Sequence, residues 1–132
     1  MKAGDDFAKM VNDRFGRREP FVPMAHFDPD GDCIEFFISD EPFTGKRLDK
    51  WVTVYCGRES GQVVGSLIKN IRELHALYPG LDIYVQDGRV KILHILRAPA
   101  YSAKDPIARA MYKDVLTKIE ATNDLTTELQ LA

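Results

Sequence analysis

The chain is poor in the features that usually announce a function. It has two cysteines, Cys33 and Cys56. Two are too few for a disulfide scaffold, and no CxxC or histidine pair gives them zinc-site spacing. The three histidines, His26, His75 and His94, do not pair at metal-ligand spacing either. No apolar run approaches the roughly 20 residues of a membrane span. The opening stretch MKAGDDFAKMVNDRFGRR is charged where a secretory signal is apolar, so a cytoplasmic location is expected. GxxxxGK[ST], GxGxxG and GxSxG are all missing, which leaves no phosphate cradle and no nucleophile elbow. Catalytic residues, cofactors and metal ligands are therefore not expected.

What is present is an ordinary globular composition. Hydrophobic residues make up 45% of 132 residues, enough for one domain with a core of its own. Charge is unevenly spread. From Glu19 to Gly45 stand Glu19, Asp28, Asp30, Asp32, Glu35, Asp40 and Glu41, with no Lys or Arg. From Lys46 to Lys118 the bases number thirteen against seven acids. After Lys118 only acids follow. Such halves pair within a fold or between subunits, or solvate different faces.

The acidic turn Asp28-Pro29-Asp30-Gly31-Asp32 invites a calcium reading. Counted from Asp28, the sixth position of an EF-hand loop is Cys33 rather than Gly, and the twelfth is Ser39 rather than Glu. A solvated β-turn is the better reading. The bases Lys69, Arg72, Arg109, Lys113 and Lys118 accompany the helices without a recognition-helix or RNP pattern, so nucleic acid is not expected as a partner.

Periodicity predicts an α+β domain: an antiparallel meander or hairpin sheet of about five or six strands, with three helices. A first helix over 5–17 carries Phe7, Met10, Val11 and Phe15, and a linker reaches residue 23. Residues 24–68 read as a β-meander. Its strands are Met24 to Asp28, Cys33 to Ser39, Trp51 to Cys56 and Gln62 to Ile68, with a long loop over 40–49. Residues 69–132 read as a helix capped by Asn70 and Glu73, a hairpin, a helix, and a last strand within Leu125 to Leu131. The hairpin joins Asp82–Gln86 to Arg89–Arg97 through Asp87-Gly88. Asp105 and Pro106 open the last helix, with Ile107, Met111, Val115, Leu116 and Ile119 as its buried side.

Pairing CIEFFIS with WVTVYC sets Ile34, Phe36 and Ile38 against Cys56, Val54 and Val52. The opposite face then carries Glu35, Phe37, Trp51, Thr53 and Tyr55, and the two cysteines cannot bond. Phe37, Trp51 and Tyr55 need a cover. They are the candidate interface, closed either by a helix or by a partner. His94 and Cys56, beside the 40–49 loop, are the pocket candidates.

His26 to Ile68, HFDPDGDCIEFFISDEP…WVTVYCGRESGQVVGSLI, resembles a bacterial family known only as a domain of unknown function. The shared positions are Asp28, Pro29, Asp32, Gly61, Val63, Val64 and Gly65. The resemblance implies a β-meander and brings no catalytic residues. The expected function is a non-enzymatic binding or interaction module that associates with itself, as a homodimer, or with another protein. The alternatives are a small enzyme or ligand-binding protein using the His94 pocket, and a nucleic-acid-associated regulator.

Overall fold

The computed structural model describes residues 21–122 and 125–129. The helix expected over 5–17 and the end of the tail at Leu131 lie outside them. The fold is α+β. A five-stranded antiparallel sheet is built from β1 (Met24–Asp28), β2 (Cys33–Phe37), β3 (Phe43–Arg47), β4 (Val52–Gly57) and β5 (Val63–Lys69). Its strand order is β1-β2-β5-β4-β3. Then come α1 (Ile71–Leu77), a 3-10 helix (Pro79–Tyr84), β6 (Arg89–Lys91), α2 (Ile92–Ser102), α3 (Pro106–Ala121) and β7 (Thr126–Glu128). β6 and β7 pair as a separate two-stranded ribbon.

The expected β2–β4 pairing is not formed, because β5 lies between them. β5 is buried at every residue but Leu67 and Lys69. Its nearly continuous apolar run is that of a central strand covered on both faces. The face assignment nevertheless survives for the residues within the strands, Trp51 excepted, because pairing passes through β5 in register. Ile34, Ile68 and Val52 share one row, and Phe36, Ser66 and Val54 share the next on that face. Phe37, Gly65 and Tyr55 share a row on the other face. Since β2 and β4 both run antiparallel to β5, Ile34 comes level with Val52 and not with Cys56, which meets Val63 past a register shift at Tyr55/Cys56.

The inner face of the sheet packs on the helices. Ile34, Phe36, Val54, Ile68, Leu74, Ile92, Leu96 and Val115 are fully buried in one core cluster. Burial of each such side chain is worth about 1.5–3 kcal/mol. Asp105 caps α3, its carboxylate accepting from the Ala108 N–H. The helix buries Ala108, Tyr112, Val115 and Ile119, while Ile107 is exposed.

The second hairpin is replaced by something shorter. Asp87 and Gly88 both have positive φ, 53° and 73°, the turn that Asp-Gly favours. Only the Gln86–Arg89 bridge flanks it. Arg89–Lys91 pairs with β7 instead, and the chain turns helical at Ile92. Ile92, Ile95, Leu96 and Pro99 fall at helical spacing and are buried. ILHIL satisfies a strand pattern and a helix pattern at once, and burial against α3 favours the helix.

The cap of α1 also differs. Asn70 takes left-handed φ and ψ, 56° and 47°, and makes no side-chain cap. Its amide donates to the Lys50 carbonyl, and Glu73 pairs with Lys50 at 2.8 Å. The helix is capped from a distance by Asp32: its carboxylate accepts from the Arg72 N–H, and its carbonyl from the Ile71 N–H.

Candidate interaction edge

The expected 40–49 loop contains a strand. β3 pairs with β4 from Phe43 opposite Gly57 to Arg47 opposite Thr53. Two carboxylates fix its ends. Glu41 accepts from the Glu59 N–H and from the backbone and hydroxyl of Ser60, which clamps the β4–β5 turn beside the start of β3. The Ser60 hydroxyl first, then its N–H, holds the Glu41 carboxyl below its usual range. Asp49 accepts from the N–H groups of Trp51 and Val52 with one oxygen and from the Tyr112 hydroxyl, at 2.6 Å, with the other. The turn out of β3 is thereby tied to α3. Burial, then Asp49, pushes the Tyr112 hydroxyl well above its ordinary pKa.

The hydrogen-bond polarity of β3 follows from its flanks. Leu48 N–H donates to Val52 and Arg58 N–H to Pro42, and the register between them has no shift. Even-numbered residues therefore bond β4. Alternation turns the N–H and C=O groups of Phe43, Gly45 and Arg47 away from the sheet. Thr44, Gly45, Lys46 and Arg47 are exposed.

Phe43 ends an aromatic ladder on the outer face of the sheet. Phe37 and Tyr55 stack with centroids 5.5 Å apart, and Tyr55 and Phe43 at 4.4 Å. Gly65 lies between Phe37 and Tyr55 in the sheet. A Cβ there would come within 2.3 Å of the Phe36 carbonyl oxygen, so only glycine lets β5 lie this close to β2 at that row. The Tyr55 hydroxyl donates to Glu35. Burial first, then this carboxylate, raises its pKa strongly.

The three candidate interface residues do not form one group. Phe37 (4% exposed) and Tyr55 (8%) share a cluster with Val64, on which Phe21, Met24, Phe43 and Leu67 pack. Trp51 (8%) precedes β4 and belongs to the main core instead, with the Lys50 ammonium 4.5 Å from its ring centre. All three are already covered within one chain, so the accessible part of this face is its rim at Phe43 and β3.

The pocket candidates lie on different elements, with no hydrogen bond between them. His94 is on α2, stacked on Tyr84 at 4.0 Å. Its buried Nδ1 has no partner. Burial, then Arg97 and Lys91, lowers its pKa. Cys56 is half-buried at the β4 bulge. Two surface depressions, of about 510 and 320 Å³, are lined by neither residue nor by 40–49. The larger lies between Val22–Ala25 and Arg89, Leu125 and Thr126. The carboxylates of the acidic turn serve the chain itself. Asp28 is buried and accepts from the Asp30 N–H, and Asp32 pairs with Arg72 at 3.2 Å. Among the described residues no three His, Cys, Asp or Glu side chains group as metal ligands, and no helix is long and apolar enough to cross a membrane.

Sequence reasoning missed Phe43, Gly45 and Arg47. A signal was available: a dozen residues is long for a plain connection, and FTGKR carries the Phe and Thr that strands favour. No family model, no curated protein and no solved structure matches the chain.

Proposed function

We propose that this protein is a non-enzymatic interaction module whose working surface is the β3 edge. It takes an extended polypeptide strand there, adding it to the sheet by backbone hydrogen bonds. The observation that carries this reading is the outward set of N–H and C=O groups on Phe43, Gly45 and Arg47, on a strand whose residues 44–47 are exposed. Main-chain pairing supplies the affinity. Phe43 at the end of the ring ladder and the bases Lys46 and Arg47 supply the selectivity.

The test uses a substitution that the fold should tolerate. Proline at 47 removes one outward donor and none of the bonds to β4. Peptides selected from a random library on the wild-type protein should lose about tenfold or more in affinity for Arg47→Pro, the equivalent of one charge-free backbone bond. Peptides that bind both proteins equally would place the working surface elsewhere.

A further inference from the structure

We infer that the strand taken at this edge is β3 of a second copy of the chain, running antiparallel about a two-fold axis at Gly45. The inference rests on the strand-addition reading and adds the partner and the register. Only residues with outward backbone groups can bond across the new seam. Pairing the whole of β3 with itself sets Gly45 on Gly45 and Phe43 on Arg47, all of which face outward. Up to about six backbone hydrogen bonds close the seam.

Charge favours this arrangement over its competitors. Asp40 and Glu41 lead into β3, and Lys46, Arg47 and Lys50 lead out. In the Gly45 register Asp40 comes level with Lys50, which its own Glu73 already pairs, so charge acts here chiefly by excluding the registers that set base on base. A parallel partner would set Lys46 and Arg47 on their own copies. A slip that centres the axis on Lys46 would set two ammonium groups opposite each other, which is repulsive. In the Gly45 register Lys46 lies opposite Thr44. Glu41 and Asp49 also come level, but each carboxylate is already held by donors of its own chain. The Arg47 guanidinium, whose Nε–H donates to the Asp49 carbonyl at 3.2 Å, comes level with the Phe43 ring of the other copy, where its free edge extends the ladder by a cation–π contact.

The seam is short. Five residues bury far less than the roughly 1,200 Å² of a stable interface, so the dimer forms and dissociates with concentration. Two measurements on the wild-type chain test it together. Light scattering at about 100 µM should give a mass approaching twice 15.0 kDa, and at about 1 µM a mass near 15.0 kDa. Isotope-filtered NMR on mixed labelled and unlabelled protein should show an intermolecular contact between the Thr44 and Lys46 α-protons, the close pair of this register. Arg47→Pro, which removes one bond from each copy, should weaken association about a hundredfold, and about 1 M salt should weaken it a few-fold. A dimer without the Thr44–Lys46 contact overturns the inference. A chain that stays monomeric at about 100 µM, yet binds library peptides in an Arg47→Pro-sensitive way, also overturns it and leaves the strand-addition reading standing. A monomer whose peptides ignore Arg47→Pro overturns both.

Discussion

At one border of the large sheet β1 has no exposed residue and is flanked by β7, whereas at the other Thr44 to Arg47 of β3 stand in water. The side chains explain the difference. β1 reads MAHFD and the ribbon beside it sends Val90 and Leu129 into the main core. A cover on β1 is therefore held by apolar burial. β3 reads FTGKR. A cover of the same kind would have to desolvate an ammonium and a guanidinium. The same bases discourage indiscriminate edge pairing. The border that stays open is thus set by side chains, although what it offers is backbone.

Four substitutions and one titration can break or sharpen this contrast. Leu129→Ala strips the anchor of the ribbon and should cost about 2–4 kcal/mol, read from the urea midpoint. A loss below about 0.5 kcal/mol would mean that the ribbon does not hold β1. Lys46→Pro deletes an N–H that faces β4 and should cost about 2 kcal/mol. Tyr112→Phe removes the hydroxyl on Asp49 and should cost about 1–2 kcal/mol, loosening the end of β3 in amide exchange. Arg47→Pro should change stability by less than about 0.5 kcal/mol. Its immediate neighbour is the control: if the proline at 46 were tolerated and the one at 47 were not, the polarity of β3 would be reversed.

The titration concerns Cys33, at the start of β2 next to the covered border. Burial, then the charges of Asp28, Glu35 and Asp32, pushes its thiol up to about 11. The folded state therefore favours the protonated thiol. Its contribution to stability is whole below the ordinary value of 9.0 and is lost as pH rises through about 11. Cys33→Ser should flatten that part of the stability profile. Alkylation of Cys33 in a Cys56→Ser background should stay slow at pH 8; fast alkylation there would contradict the assigned environment.

Much of this was legible in the residues. The turns at Pro29-Asp30-Gly31 and Asp87-Gly88, the Asp105 cap and four strands of the sheet follow from local chemistry, which acts over a few residues. Which face each strand buries was legible too, because the period of two is preserved through any in-register neighbour. What was not legible depended on distant partners. VVGSLIK does not say which strands it separates. ILHIL does not say whether a helix or a strand lies across from it. Asn70 has the residue type of a cap, and Asp32 takes the role because the β1–β2 turn delivers it there. β3 has little apolar content to betray it, since its stabilisation comes from the β4 ladder and from the clamps at Glu41 and Asp49.

The ribbon beside β1 also bears on stoichiometry. A strand that recruits its own copy is dangerous when both borders of a sheet are free, since each added molecule offers the next a fresh template and the product is a filament. In the proposed two-fold pair each chain uses its β3 border, and among the described residues the far border lies against the chain's own β7. Growth of the proposed pair would then stop at two. Releasing the ribbon would leave such a pair with two further borders to extend, so in the proposed assembly β7 would have the part of a chain terminator.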